Sequence, residues 1–307
     1  MPRVPIRYRS DLLPPPLAGE GWGGGVAAIC AVGHAPSLTL PRKRGREKKS
    51  HSQMTTDPHA RLAEFLSIGD TRQNLPGVKI RDAATMLVID RTGRTPKVLL
   101  GRRHHGHKFM PGKYVFPGGR VELADRRMSA ATPLDKRVEA RLMKDVRYPS
   151  AQKSRGFPLA AIREVFEETG LVLGTKSDRP LPTGRGHPPN TEWAKFARSG
   201  VAPDLAAVHF IARAITPPGR PRRFDTRFFS VDANAIAARI DGVVGPDTEL
   251  VELVWLPIED SLKLDMPGIT MAVLEELKIR TAEGFTHDLP VPFYRMQRGK
   301  RLRDFLD

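Results

Sequence analysis

Glu164, Glu167 and Glu168 stand at positions i, i+3 and i+4 of the segment Arg163-Glu-Val-Phe-Glu-Glu-Thr-Gly-Leu171. A helix would therefore carry all three carboxylates on one face. Like charges at that spacing repel, at about 0.2–0.5 kcal/mol per pair. A hard divalent cation would remove the repulsion, since Mg²⁺ or Mn²⁺ prefers oxygen ligands and shares its shell with water and phosphate oxygens. Such a site suits cleavage of a phosphoanhydride, an anionic electrophile that needs charge neutralisation and a positioned water more than a protein nucleophile. A carboxylate must then accept the water's proton. Glu164 or Glu167 could do so from the helix, and a residue on a later loop could do so too, Glu249 and Glu252 of Asp247-Thr-Glu-Leu-Val-Glu-Leu-Val-Trp255 being the candidates there, with Glu252 by default an outward strand residue. Taken alone, three glutamates on a helix describe a solvated acidic face more readily than a metal site.

Their context changes that reading. The nine residues fit Arg-Glu-apolar-x-Glu-Glu-x-Gly-apolar at every fixed position, and Phe116-Pro-Gly-Gly119 lies upstream. Together these stretches resemble the two halves of the Nudix box, a glycine loop followed by a catalytic helix. The resemblance implies an α/β fold, a Nudix-type α/β/α sandwich around a mixed β-sheet, and hydrolysis of a diphosphate linkage with Mg²⁺ or Mn²⁺. It implies that Glu164, Glu167 and Glu168 bind or orient the metal, that Arg163 holds the glutamates, and that a backbone carbonyl at Gly118 or Gly119 completes a metal shell.

The box is interrupted. The family has Gly-x5-Glu-x7-Arg-Glu, whereas here Asp125 stands where the glutamate belongs and 37 residues, Arg126 to Ile162, separate it from Arg163. About 30 residues are thus inserted, at about 126–157. That is tolerable if the insertion leaves the surface and returns, because loop-closure cost grows slowly with length. It makes Asp125 a questionable counterpart, and Glu122 is the neighbouring alternative. An interrupted box resembles the coenzyme A diphosphatase branch, as do Arg81–Gly119, Pro158–Leu173 and Arg222-Arg-Phe-Asp-Thr-Arg-Phe-Phe229. That branch also has Leu-Leu-Thr-x-x-Ser-x3-Arg-x3-Gly-x3-Phe-Pro-Gly-Gly before the helix. Leu99, Leu100, Gly112 and Phe116 keep its spacing, while Gly101, His104 and Lys108 replace Thr, Ser and Arg. The implied substrate is coenzyme A or an acyl-coenzyme A. ADP-ribose or NADH is the alternative, because the helix reads atoms common to all of them. A catalytically weak nucleotide-sensing domain and a nucleic-acid enzyme are the readings from other classes. All three glutamates and Arg163 are kept, and no helix-turn-helix pattern follows Leu256, which weighs against the sensor.

Basic residues supply candidate phosphate clamps, since a guanidinium fork matches phosphate oxygens. Arg102, Arg103, Lys108 and Arg223 are expected to bind substrate, with Arg222 and Arg227 in the same group. His104, His105 and His107 read as a solvated loop rather than a zinc site, as neither cysteines nor an HExxH helix accompanies them. Phe109, Tyr114 and Phe224 could stack on an adenine, although core packing is the default.

The elements that must hold these residues are legible in outline. Ala83–Asp90 and Lys97–Arg103 read as a hairpin, Pro158–Thr169 as a helix capped by Gly170, and residues 130–147 as a looser helical pattern. Further strands are expected at Ala207–Ile215, Phe224–Val231 and Thr248–Leu256, and a helix near Ile269–Thr281. Residues 1–53 show no sustained periodicity and carry +6 of the +16 formal charge. They resemble translated repeat DNA and are expected to be a disordered basic extension ahead of a true start at Met54, with 54–307 as a single hydrolase domain. A nucleic-acid tail is the competing reading of their basic cluster. The single cysteine excludes an intramolecular disulfide framework, and no apolar run approaches the roughly 20 residues that span a bilayer. A soluble cytoplasmic protein with a small-molecule nucleoside diphosphate substrate is expected, without membrane or nucleic-acid partners and with homodimerisation left open.

Overall fold

The computed structural model describes residues 77–107, 110–177 and 191–307, all within one compact unit, Asp57–Asp307. The expected extension at 1–53 lies outside these residues, as do Lys108 and Phe109. In chain order the elements are β1 (Ile80–Asp90), β2 (Lys97–Arg103), β3 (Tyr114–Val115), β4 (Gly118–Arg120), α1 (Leu123–Arg127), α2 (Lys136–Met143) and α3 (Ala151–Thr169). Then come β5 (Leu171–Leu173), β6 (Thr175–Lys176), α4 (Glu192–Ala197), β7 (Val201–Ala202), β8 (His209–Ile215), β9 (Arg223–Asp232) and β10 (Ile236–Arg239). The chain ends with β11 (Leu250–Pro257), α5 (Ile258–Ser261), α6 (Gly268–Ala282), β12 (Pro292–Gln297) and β13 (Lys300–Phe305).

The main sheet runs β11-β2-β1-β9-β8-β12-β13, with β3 beside β2 and β4 beside β1. β1 is parallel to β9 and antiparallel to β2 and β4, so the sheet is mixed, as expected. Met86 to Ile89 are four consecutive residues without solvent exposure. Side chains alternate across a strand, so a run buried throughout requires cover on both faces of the sheet. α3 packs on β1 and β4, and α6 packs on β8. Among the described residues no helix is long and apolar enough to cross a membrane.

α3 is longer than its sequence pattern suggests. Pro158 reads as a first helical residue, since a proline farther in removes a hydrogen bond and crowds the preceding turn. In the structure it sits inside the helix, which starts at Ala151, where the Ser150 side chain accepts from the Lys153 amide (3.1 Å). The helix ends at Gly170, in the left-handed region at φ 73°. A Cβ there would lie 2.2 Å from the Ile240 carbonyl oxygen, so only glycine fits.

The insertion is therefore shorter as a separate excursion than expected, because Ala151–Phe157 already belong to α3. Its ends meet where Gly156 passes Arg126: a Cβ at Gly156 would stand 2.8 Å from Arg126 Cγ. Arg155 also donates to the Met128 carbonyl. Between them, α2 covers a narrower stretch than the 130–147 pattern. Its Arg141 donates to the carbonyls of His287 (2.6 Å) and Leu289 (3.1 Å), while the Ala131 amide donates to Pro203 (2.8 Å). The insertion is thus docked on later parts of the chain. The hairpin of β12 and β13, which the sequence pattern does not announce, extends the sheet through β8.

Candidate active site

α3 presents its glutamates to the glycine loop at different depths. Glu168 is buried, the Glu164 side chain is 12% exposed, and the Glu167 side chain is 46% exposed. Glu164 lies directly against Gly119, where an added Cβ would stand 2.4 Å from its Oε1. The Gly118 amide donates to Glu168. Any side chain at Gly119 would displace a carboxylate, which is the physical reason this loop needs glycine.

Arg163 organises the group. Its Nε donates to Asp125 Oδ1 (2.8 Å), one Nη to the Arg120 carbonyl (2.9 Å), and the other reaches Glu164 Oε1 (2.9 Å) and Glu167 Oε2 (3.1 Å). Asp125, itself fully buried, also accepts from Trp193 Nε1 (2.8 Å) and from the Glu122 amide (2.7 Å). Despite the 37 residues between them, Asp125 and Arg163 meet in the fold as a buried ion pair. Glu122 is exposed. Trp193 escaped the sequence reading, where a lone tryptophan carries no spacing signal.

From the far side of the site Arg103 and Glu249 complete the charge pattern. Arg103 pairs with Glu249 Oε1 (3.0 Å), and both act on the Glu168 carboxyl. Glu252 pairs instead with Arg102 (3.0 Å). Strand alternation separates the two arginines, so Arg103 faces the helix glutamates and Arg102 does not. The expected pair is split to that extent. Arg223 lies at the head of β9, donating to the Thr216 carbonyl (3.1 Å), in a cleft that the glutamates do not line. Arg227 is corrected outright: it is 1% exposed, pairs with Asp82 (3.0 Å) and Asp225 (3.3 Å), and stacks over Phe157. It braces the core and cannot reach a substrate. His105 approaches Arg102, and His107 approaches Arg103 and Glu249.

Burial pushes the Glu164 carboxyl up to about 7 from its ordinary 4.5, with Glu167 adding to the shift and Arg163 opposing it. Burial also raises Glu168 well above the ordinary carboxylate range, reinforced by Glu249 and Glu164, and raises Glu167 as well. A surplus of buried negative charge is the condition a hard cation relieves. Among the described residues no three His, Cys, Asp or Glu side chains converge as a self-sufficient cage. That is compatible with an Mg²⁺-like ion, which keeps waters and takes phosphate oxygens as ligands. The donor set is all oxygen and fits.

Raised carboxyl values bear on stability. Glu164 holds its proton more tightly in the folded state than in the unfolded chain, so its contribution is present below pH 4.5 and lost as pH rises towards 7. At about 1.4 kcal/mol per pH unit, the metal-free protein should lose on the order of 3 kcal/mol through this group. Glu164→Gln should lack that loss. Urea unfolding of both proteins with chelator at a series of pH values tests this; parallel curves across the window would refute it.

No protein-family model matches the chain. Among curated proteins, nudix hydrolase 7 of Caenorhabditis elegans is 30% identical over 159 residues, 48% of this chain and 43% of that protein. The acyl-coenzyme A diphosphatase NUDT19 of Gallus gallus is 30% identical over 179 residues, 43% of this chain and 47% of that protein. The chain thus spans under half the length of either relative. A solved NUDIX hydrolase from Alicyclobacillus acidocaldarius is 26% identical, covering 67% of this chain and 96% of that one, with a TM-score of 0.48.

Proposed function

We propose that this chain, a Nudix-family protein by its sequence, is a divalent-metal-dependent hydrolase that cuts the diphosphate linkage of a nucleoside diphosphate derivative, with coenzyme A or an acyl-coenzyme A as its substrate. One observation carries the chemistry: the buried carboxylates of Glu164 and Glu168 lie against Gly118 and Gly119, with Glu249 opposing them across Arg103. The substrate choice rests on the branch-like spacing around Leu99–Gly119 and on the likeness to the chicken acyl-coenzyme A diphosphatase.

Bound at Glu164, Glu167 and Glu168, Mg²⁺ or Mn²⁺ would supply an acidified water and charge neutralisation at the phosphorus centre. The chain's own residues do the rest. Asp125 clamps Arg163, whose guanidinium sets the rotamers of Glu164 and Glu167. Glu167, on the open side of the helix, is the better placed helix group to take a proton from an attacking water. Glu249 is the alternative base, and Arg103 tempers its charge and that of Glu168. Arg103 is also a cation at hand for a phosphate oxygen as negative charge develops.

The test is product analysis of the full chain with Mg²⁺ or Mn²⁺ against coenzyme A, acetyl-coenzyme A, ADP-ribose and NADH. Release of adenosine 3′,5′-bisphosphate and a phosphopantetheine fragment is expected. Preference for ADP-ribose or NADH would overturn the substrate choice while keeping the chemistry, and no turnover of any of the four would overturn the hydrolase.

A further inference from the structure

Away from the glutamates, the heads of β1 and β9 and the end of β4 enclose a cleft of about 360 Å³. Lys79, Arg81, Arg120, Arg222 and Arg223 line it, Phe224 forms part of its apolar wall, and among the described residues no acidic side chain contributes. Cations repel when gathered, and acids are close by in sequence, yet these are engaged elsewhere. Asp82, one residue after Arg81, faces the other side of β1 and pairs with Arg227 (3.0 Å). Asp225, one residue after Phe224, pairs with Arg213 (2.7 Å). Among the described residues Lys79, Arg81 and Arg120 form no ion pair. Strand alternation therefore turns Arg81 and Phe224 to the face opposite Asp82 and Asp225.

The cleft adjoins the proposed active site. Arg120 follows Gly119, against which Glu164 lies, and its carbonyl accepts from Arg163. Arg81 stands three residues along β1 from Ala84, the register partner of Gly119, a separation of about 10 Å. A single nucleotide can bridge that distance. We infer that the cleft is a subsite for a phosphomonoester dianion carried by the nucleotide, apart from the diphosphate that is cut. This deepens the diphosphatase reading and rests on it. Guanidinium forks and one ammonium suit a dianion with three terminal oxygens, and the cleft's size suits part of a nucleotide.

The experiment is calorimetric binding at fixed salt without divalent metal, so turnover plays no part. Adenosine 3′,5′-bisphosphate, adenosine 5′-monophosphate and inorganic phosphate are titrated into the full chain and into a Lys79→Gln, Arg81→Gln double variant. The bisphosphate should bind at least about tenfold more tightly than the monophosphate. That advantage should disappear in the double variant, whereas Arg81→Lys, which keeps the charge, retains most of it. Equal affinities in the unaltered protein, or an advantage that the double variant keeps, would overturn the subsite. Inorganic phosphate binding that is lost in the variant, without any preference for the bisphosphate, would overturn the assignment to substrate in favour of a separate anion. A chain that shows the expected preference and yet hydrolyses no diphosphate would refute the hydrolase and leave the cleft standing.

Discussion

Glu167→Gln should reduce turnover by roughly 10²–10⁴-fold, the range expected when a positioned acid–base group is removed. The fold should barely notice. The Glu167 side chain is 46% exposed, and the Arg163 Nη that it touches at 3.1 Å is also held by Glu164 at 2.9 Å. Partly exposed ion pairs contribute about 0–1 kcal/mol, and the amide keeps an oxygen to accept from Arg163. Steady-state rates with Mg²⁺ or Mn²⁺, set beside a denaturation curve of the same preparation, separate the two effects. Full activity in the variant would dismiss the carboxylate helix as the reactive element; lost activity together with a large loss of stability would mean that Glu167 acts through the fold.

Asp125→Ala should have the opposite profile, a large loss of stability that carries activity down with it. Three separate groups donate to that carboxylate: the Arg163 guanidinium, the Trp193 indole and the Glu122 amide. Its removal takes the Nε partner from a guanidinium that is 4% exposed. Breaking a buried pair from one side costs about 3–5 kcal/mol, because the remaining charge stays out of water. Asp125→Asn, which keeps the shape and one acceptor oxygen, should lose less. Chemical denaturation of the two variants checks the ranking. If Asp125→Ala unfolds within about 0.5 kcal/mol of the unaltered protein, the buried clamp on Arg163 is not what holds the site together.

The helix and its carboxylates were legible because helical period and a terminal glycine are local features. Residues three and four apart share a face whatever surrounds them. The first two strands were legible for the same kind of reason, an apolar run broken by Arg91-Thr-Gly-Arg-Thr-Pro96. The early turns of α3 were not, since Pro158 is a stronger local signal for a helix start than anything between Ala151 and Phe157. The role of Asp125 was hidden by sequence distance. Its partner Arg163 is 38 residues away and Trp193 is 68 residues away, and no periodicity reports such a meeting.

For the basic residues, composition could count charges but not aim them. Arg222, Arg223 and Arg227 belong to one stretch of sequence, yet Arg227 braces Asp82 and Asp225 in the core while the other two line the cleft. Arg102 and Arg103 are neighbours that face opposite sides of β2 and meet different glutamates. The chain's own order determined a helix with three carboxylates on one face, a glycine loop able to approach it, and the strands that carry both. Tertiary structure decided which charges are buried in pairs, which converge on the glutamates and which remain open to a ligand. A charge is settled by what lies across from it, and in a mixed sheet its nearest neighbours come from segments far along the chain.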